Sequence, residues 1–360
     1  MNYTKNWGKS VERYKAFWQG EMLDRCCVSV TAPKSKLAPL PGFTSQETLE
    51  HWTDGEWVFK TWKNYFENTY FAGDAFPNLW LNLGPSGHAG YIRNARCQFM
   101  QGSGLNCTTW YDHSIHDWDT DFPVFDPDGF LYKKTMELAK YLAAESKGEV
   151  LVSMPDNAGN LDALACLRGP EELLIDFIEE KETVLRAGEV MQSVWEQAVT
   201  DVYQILKDNN QGACSAGWLQ VWSPGLMSQM QCDLSVMISE DDFNTFAMPE
   251  LRKQCDFLQF PLYHFDGQEQ RRHLQSLLSL EKLRVIQWTS VVGQPSPVEY
   301  LPALQAMQKA GKSIFLMLKP YEIEPIMQGL SSKGLHFSVE AQSVEEADAI
   351  VKLVEKLSHE

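Results

Sequence analysis

The feature that most constrains the fold is a repeated alternation of short apolar runs with helical segments, regular from residue 129 onward. A chain in which strands alternate with helices forms a parallel sheet, because each connection must return to the same end of the sheet. The strand-like runs occupy residues 26–31, 149–154, 214–222, 231–238, 260–265, 284–289, 313–318 and 335–339. So many short strands, without a GxGxxG turn, predict a closed (β/α)8 barrel rather than an open doubly wound sheet.

Helical periodicity and capping residues give the intervening helices. Apolar residues at steps of three and four predict a helix over 10–20, another over 129–147 and two helices within 162–209. The sequences Ser296-Pro-Val-Glu and Ser343-Val-Glu-Glu match capping boxes, which indicates helix starts at both serines.

Length and composition allow one large domain. The 360 residues are 44% hydrophobic and 22% charged, an ordinary globular balance that can bury a sizeable core. We predict one (β/α)8-barrel domain over residues 1–360. Within it, residues 32–128 are rich in aromatic residues, proline and glycine, and we expect them to form irregular insertions over the pocket.

Charge and hydropathy exclude several classes of protein. The net charge of -17 repels phosphate backbones and anionic lipids, which argues against a nucleic-acid or membrane partner. No apolar stretch reaches the ~20 residues that span a bilayer, and the start of the chain has no hydrophobic signal region, so we expect a cytoplasmic protein. The eight scattered cysteines contain no CxxC pair and indicate reduced, mostly buried thiols.

Functional residues of such barrels lie where strands end. The run ending in Tyr263-His264-Phe265-Asp266-Gly267 is the most polar of these ends. Side chains alternate along a strand, so His264 and Asp266 point to the same side, where the carboxylate can orient the imidazole, accept a proton or bind a cation. A hydrogen-bonded structural histidine is the alternative interpretation.

Two further carboxylates follow predicted strands. Asp156 comes after the run 149–154 and is either a catalytic or substrate-orienting group or the start of an Asx turn or helix. Glu340 follows the last run. Together, His264, Asp266 and Glu340 form a mixed nitrogen and oxygen set that is compatible with zinc or another divalent cation.

Aromatic and amide side chains at strand ends and in loops predict the walls of the pocket. An aromatic wall suits an apolar or cationic ligand, and the acidic protein agrees better with a neutral or cationic ligand than with an anion. Taken singly, each of these residues could also be ordinary core. The predicted substrate-binding residues are Asn78, Trp80, Trp222, Tyr263 and Trp288.

Short motifs along most of the chain resemble those of the uroporphyrinogen decarboxylase superfamily, and they occur in the same order. They are Arg13…Phe17…Gly20-Glu21…Asp24-Arg25, Asp162-Ala163-Leu164…Leu167-Arg168-Gly169, Ser239…Phe246…Pro249-Glu250 and His264-x-Asp266-Gly267. The resemblance implies a (β/α)8 barrel and one of two activities: metal-free decarboxylation of uroporphyrinogen, or zinc-dependent methyl transfer between corrinoid proteins and thiols.

Departures from the family motifs bear on both activities. The arginines with which the decarboxylases hold propionate groups have no counterpart in the sequence TAPKS at residues 31–35. The methyltransferases hold zinc through an H-x-C-G motif and a later cysteine, whereas Asp266 stands here in the first motif and residues 338–342 contain no cysteine. Replacing thiolates by carboxylates alters the chemistry of a bound cation.

Three hypotheses follow. The first is a divergent methyltransferase that moves a methyl group between a small substrate and a corrinoid protein or thiol, with His264, Asp266 and Asp156 as catalytic residues. The second is a metal-free, decarboxylase-like lyase acting on a smaller acid, with Asp156 or Asp266 as the acid. The third is a non-catalytic barrel that binds a small molecule.

Overall fold

The computed structural model describes residues 1–35, 41–290 and 293–360. Its strands are β1 (Cys27–Pro33), β2 (Gly42–Phe43), β3 (Thr69–Gly73), β4 (Asn78–Trp80), β5 (Cys97–Phe99), β6 (Gly102–Ser103), β7 (Thr109–Tyr111), β8 (Leu151–Ser153), β9 (Gln229–Met230), β10 (Leu262–Asp266), β11 (Val285–Thr289), β12 (Ser313–Leu318) and β13 (Leu335–Glu340).

The helices mostly follow the strands in alternation. They are α1 (Trp7–Trp18), α2 (Ser45–Trp52), α3 (Gly55–Asn68), α4 (Phe130–Ser146), α5 (Asn160–Arg168), α6 (Pro170–Glu179), α7 (Lys181–Leu206), α8 (Glu240–Asp242), α9 (Met248–Phe257), α10 (Leu274–Leu278), α11 (Leu301–Lys309), α12 (Ile323–Gly329) and α13 (Val344–Leu357). Short 3-10 or π turns occupy Gly87–Tyr91, Asp233–Met237, Phe243–Ala247, Gln268–His273, Pro297–Tyr300 and Pro320–Glu322. No helix in these ranges is long and apolar enough to cross a membrane.

The centre of the fold is a mostly parallel sheet. Seven strands pair in the order β3-β1-β13-β12-β11-β10-β9, and only the pair of β1 with β3 is antiparallel. A second parallel pair joins β4 to β8, which a bridge between Met154 and Ala216 extends. Within the described ranges, backbone pairing does not join these arcs into a ring. The fold is therefore mixed α/β, and closure of the barrel stays a prediction.

Most predicted strands are confirmed, and two are wrong. The runs 26–31, 149–154, 260–265, 284–289, 313–318 and 335–339 coincide with β1, β8, β10, β11, β12 and β13. Residues 214–222 instead fold back on themselves, because Cys214 and Ser223 exchange backbone hydrogen bonds of 3.0 and 2.9 Å. Residues 231–238 follow the short strand β9 and form mainly the 3-10 helix Asp233–Met237.

The helical predictions hold with one correction. The segment 162–209 contains three helices rather than two, because Gly169, at φ +98°, and Pro170 end α5 and start α6. Ser343 caps α13 as predicted, with its Oγ accepting from the Glu346 N–H at 3.2 Å. Ser296 starts the 3-10 turn that leads into α11. The predicted insertion over 32–128 contains α2, α3 and β2 to β7, and its residues 36–40 lie outside the described ranges.

Alternation along β10 and β11 separates two environments. His264 pairs in register with Gln287, and the side chains of these two residues touch. The intervening residues face the helices: the Phe265 ring stacks on Trp288, which stacks on Tyr300, with ring centroids 4.9 and 5.2 Å apart. The polar face of these strands is therefore the one that can carry a site.

Candidate functional site

Three ligand-type side chains meet at the carboxyl ends of β9 and β10. Asp233, His264 and Asp266 each offer one atom, and these atoms lie within 4.8 Å of one another. His264 is buried, and both aspartates are partly exposed. Asp233 starts the 3-10 helix that follows β9, so the neighbouring strand places it beside β10. We call Asp233, His264 and Asp266 the cation cluster.

Hydrogen bonds orient the imidazole of His264. Its Nδ1 lies 2.5 Å from Gln287 Oε1, and Gln287 in turn donates through Nε2 to Thr289 Oγ1 at 2.7 Å. Because Gln287 Oε1 can only accept, Nδ1 carries the proton and Nε2 keeps its lone pair. Burial lowers the pKa of His264, which favours the neutral form that ligates metals. The Trp218 ring meets His264 edge to face at 5.1 Å.

The carboxylate of Asp162 fixes the backbone beside the cluster. Its Oδ1 accepts from the Leu234 N–H at 2.8 Å, and its Oδ2 accepts from the N–H groups of Asp233 and Gly159 at 3.0 and 3.2 Å. Burial raises the pKa of Asp162. Burial and the proximity of Asp162 raise the pKa of Asp233 well above its usual value. Asp162 is thus a positioning group for Asp233.

Two glutamines link this cluster to Asp156. Gln229 Nε2 donates to Asp156 Oδ1 at 2.5 Å and lies 3.2 Å from Gln231 Oε1. Gln231 Nε2 then donates to Asp233 Oδ2 at 2.9 Å. Burial raises the pKa of Asp156 to about 7, with a smaller contribution from the charge of Asp162. Asp156 also caps its own turn, because its Oδ1 accepts from the Ala158 N–H at 3.1 Å.

The carboxylates at this end of the sheet have no cationic side-chain partner. None of the ion pairs formed within residues 1–35, 41–290 and 293–360 includes Asp156, Asp162, Asp233 or Asp266. Buried carboxylates that lack a counter-ion are costly unless they are protonated or bind a cation. The arrangement is therefore suited to a cationic occupant.

The predicted wall residues Asn78 and Trp80 lie on β4, on the same side of that strand. Asn78 Nδ2 reaches Gly217 O at 3.4 Å, whereas Asn78 Oδ1 and Trp80 Nε1 are buried and have no hydrogen-bond partner in the described ranges. Gly217 also lies close to Gln229 and Asp156. The structure thus brings Asn78 and Trp80 to the side of the site that contains Asp156.

Tyr263 and Trp288 do not line the site. They occupy the alternate positions of β10 and β11, so their side chains point away from His264 and into the helical layer. Trp288 is stacked between Phe265 and Tyr300, and Tyr263 Oη contacts Gln270 at 3.3 Å. The structure therefore does not bring these two side chains to the cation cluster, for the same geometric reason that brings His264 and Asp266 together.

Trp222 lies at the opposite end of the sheet, so the structure does not bring it to the cation cluster either. Its ring packs against Trp7 and Tyr14 of α1, with centroids 6.1 and 6.0 Å apart, and its carbonyl accepts from Trp18 Nε1 at 2.8 Å. The reversal between Cys214 and Ser223 carries Trp222 away from the site. Trp218, at the other side of the same loop, is the tryptophan that contacts His264.

Glu340 does not reach the cation cluster. It is exposed and lines a separate cavity of about 650 Å³ together with Thr31 and Lys34. In the sheet, β11 and β12 lie between β13 and β10, and three steps of about 4.8 Å separate their ends by about 14 Å. Asp233, on the strand next to β10, takes the position that the sequence prediction assigned to Glu340.

The sequence contains a signal that could have identified the missed residues. Gln229, Gln231 and Asp233 are polar residues two positions apart, the spacing that places side chains on one face of an extended chain. The strand predicted from the sequence begins at residue 231, so it separates Gln229 from Gln231 and Asp233 and leaves their common spacing unrecognised.

Comparison with protein families gives no matching model, and comparison with curated proteins gives no match either. Among solved structures, the chain is similar to a methyltransferase from Methanosarcina mazei, with a TM-score of 0.62 and 10% identity over 96% of this chain and 98% of that chain. It is also similar to a B12-independent methionine synthase from a Shewanella species in complex with selenomethionine, with a TM-score of 0.39 and 8% identity over 76% of this chain and 77% of that chain. The first likeness shows that the chain has a TIM-barrel-like fold.

Proposed function

We propose that the chain is a methyltransferase that binds a divalent cation at Asp233, His264 and Asp266 and moves a methyl group between a small substrate and a corrinoid protein or thiol. The observation that carries the proposal is the cation cluster, which lies where barrels of this kind hold their functional groups. The likeness to a methyltransferase over nearly the whole chain supports the same class.

The donor set fits a divalent cation. One neutral imidazole and two carboxylates are ligands that zinc, manganese and ferrous iron all accept, and Gln287 supplies the outer hydrogen bond that ligating histidines usually have. No thiolate is present among the three, so these ligands are less polarisable, and therefore harder in the hard–soft sense, than those of a cysteine-containing zinc site. Such a cation would serve as a Lewis acid that lowers the pKa of a bound thiol or water.

The side chains of this protein have separate roles in the proposed transfer. The acceptor lone pair forms the new bond to the methyl carbon, and the donor atom keeps the electrons of the broken bond. Gln287 orients His264, and Asp162 holds the backbone that carries Asp233. Asp156, linked to the cluster through Gln229, orients the small substrate.

Metal analysis of the purified protein tests the cation cluster. We expect one equivalent of a divalent cation in the parent protein and only background amounts in His264→Ala and Asp233→Asn. Two matched variants control for indirect effects: His116→Ala removes an exposed imidazole, and Glu340→Gln removes a carboxylate outside the cluster, so both should keep the metal. A parent protein that binds no divalent cation after equilibration with zinc, manganese or ferrous iron would contradict this part of the proposal.

A methyl-transfer assay tests the reaction class. Methylcobalamin as donor and 2-mercaptoethanol as acceptor supply the proposed groups, and loss of the methyl–cobalt absorbance reports turnover. We expect turnover by the metal-loaded protein and at least a hundredfold loss in His264→Ala, with His116→Ala unchanged. Turnover that is equal in His264→Ala and the parent protein contradicts the assigned role of the cluster.

One observation favours a second candidate, a metal-free lyase acting on a smaller acid. Burial raises the pKa of Asp156 to about 7, so near neutral pH a fraction of the molecules carries a proton that this carboxyl group can donate. In that case, protein treated with chelator would keep its full lyase activity, and Asp156→Asn would abolish that activity. Under the methyltransferase proposal, chelation removes methyl-transfer activity. The two outcomes distinguish the candidates.

A further inference from the structure

A group of buried polar atoms without partners surrounds Gly217, apart from the cation cluster. Within the part of the chain that the structure describes, Gln229, which exposes 1% of its surface, has no partner for Oε1, and Asn78, which exposes 6%, has none for Oδ1. A Cβ built on Gly217 would lie 2.9 Å from Gln229 Oε1, 3.6 Å from Trp80 Nε1 and 3.9 Å from Asp156 Cβ. We call Asn78, Trp80, Asp156 and Gln229, grouped around Gly217, the Gly217 recess.

The chemistry of the Gly217 recess is dominated by acceptors. Gln229 Oε1 and Asn78 Oδ1 are amide oxygens that can only accept, and Asp156 adds a buried carboxyl group without a cationic side-chain partner. Buried acceptors are nearly always satisfied in folded proteins, so several together indicate a missing group that carries N–H donors. Trp80 adds an aromatic ring, which attracts cations, and its Nε1 is a donor that has no partner among the described residues.

The residue at position 217 is suited to such a site. Gly217 has φ +47°, a left-handed conformation that favours glycine, and its carbonyl is held by Ser153 Oγ at 3.1 Å. Any larger residue would put a Cβ against Gln229 Oε1 and strain the loop. The backbone is thereby kept close to the acceptors, and Trp218 is directed toward His264.

We propose that the Gly217 recess binds an alkylammonium group, so that the small substrate is a primary or secondary methylated amine in its cationic form. An ammonium nitrogen has no free lone pair, so this substrate is the methyl donor: its methyl C–N bond breaks, and the neutral amine leaves with the electrons of that bond. Three acceptors match the N–H donors of such a group, and the carboxylate of Asp156 matches its charge. The inference deepens the proposed function and rests on it for the fate of the amine as substrate. The binding itself needs no metal, corrinoid or turnover.

A ligand-observed NMR titration of the purified protein with n-propylammonium tests the inference. Neutral 1-propanol has the same chain without the charge, and tetramethylammonium has the charge without N–H donors. We expect n-propylammonium to bind at least tenfold more tightly than either probe, because charge-assisted hydrogen bonds are lost in both. Equal affinity for 1-propanol, or equal displacement by tetramethylammonium or potassium, would overturn the proposal.

Two variants locate the binding site. Asp156→Asn keeps the shape but removes the charge, and we expect a tenfold to hundredfold weaker affinity for n-propylammonium. Gln229→Met removes one acceptor, together with the hydrogen bond from Gln229 Nε2 to Asp156, at similar volume and provides an independent test. Asp119→Asn, in an exposed loop, is the matched control and should bind like the parent protein.

The outcomes separate this inference from the proposed function. Ammonium binding that weakens in Asp156→Asn, together with no methyl transfer, would support the Gly217 recess and contradict the methyltransferase. Methyl transfer with unchanged ammonium affinity in both Asp156→Asn and Gln229→Met would contradict the recess alone.

Discussion

Carboxylates that are buried or partly buried lie at both ends of the central sheet, and the two groups have opposite electrostatic character. At the amino end, Asp74 receives Arg13 at 3.0 Å and Arg25 at 2.6 Å, and Asp24 receives Arg13 at 2.6 Å. At the carboxyl end, Asp156 and Asp233 have amide hydrogen bonds but no cationic side-chain partner among the described residues. The arginine hydrogen bonds lower the pKa of Asp24, whereas burial raises the pKa of Asp156 and of Asp233.

The difference indicates what each end does. A carboxylate paired with arginine within the folded chain has its charge compensated there, so loss of one partner is costly and no charge is left for a ligand. Carboxylates that stay unpaired destabilise the protein unless something cationic binds, which is typical of functional sites. The amino end therefore serves stability, and the carboxyl end is suited to binding.

The largest effect is expected from removing the paired carboxylate at the amino end. Asp74→Ala leaves Arg13 and Arg25 buried without their partner, and breaking such a pair costs about 3–5 kcal/mol. Urea unfolding measures the free energy of unfolding. Asp119→Ala, in an exposed loop, is the control and should stay within about 0.5 kcal/mol of the parent protein. A loss below about 1 kcal/mol for Asp74→Ala would remove the contrast between the two ends.

At the carboxyl end, removing a charge should stabilise the protein. The unfolded Asp156 ionises near its ordinary pKa of 3.8, and the folded one near 7, so the unfolded state binds fewer protons between these values and stability falls as pH rises. With one pKa unit equivalent to about 1.4 kcal/mol, the cost reaches on the order of 4 kcal/mol above pH 7.

Asp156→Asn should therefore be more stable than the parent protein by about 2–4 kcal/mol at pH 8 and nearly equal to it at pH 4. Urea unfolding at the two pH values checks this, in the absence of added metal or amine. If the free energy of unfolding changed equally with pH in the two proteins, Asp156 would ionise at its ordinary pKa. The contrast between the two ends of the sheet would then not hold for Asp156.

A substitution of Trp222 tests whether this residue belongs to the amino end or to the carboxyl end of the sheet. Since its ring packs against Trp7 and Tyr14 at the amino end, Trp222→Phe should lower the free energy of unfolding by about 1–2 kcal/mol and leave metal content and ammonium affinity unchanged. A change in ligand affinity at unchanged stability would place Trp222 with the carboxyl end.

The smallest effect is expected at Asp24, with a pH dependence opposite in sign to that of Asp156. Its folded pKa lies below its ordinary 3.8, so the stability it contributes is present above pH 4 and is lost as the pH falls. Asp24 is partly exposed, and solvent screening limits the effect to less than about 1 kcal/mol. Asp24→Asn should lose less stability than the parent protein between pH 5 and 3, and an equal loss in both would contradict the pairing.

The part of the site that can be predicted from the sequence is the part that depends on residues close together along the chain. Alternation within one strand is local, so the pairing of His264 with Asp266 was accessible from the sequence. The same alternation places Tyr263 and Trp288 on the other face, and their predicted role in the pocket ignored it. Asp233 is not among the predicted site residues. The strand predicted over 231–238 begins after Gln229, so it does not reveal that polar residues recur at every second position from Gln229 to Asp233.

The α/β alternation, six of the predicted strands and the polar end of β10 follow from the amino-acid sequence, because they depend on apolar periodicity and on residues close together in the chain. Which strand ends are neighbours depends instead on how the chain packs in three dimensions. The order β13-β12-β11-β10-β9 separates Glu340 from His264 and brings Asp233 to it, and the reversal after Cys214 sends Trp222 to the amino end. The physical reason is that strand order and loop direction depend on packing between distant segments, which local periodicity does not encode.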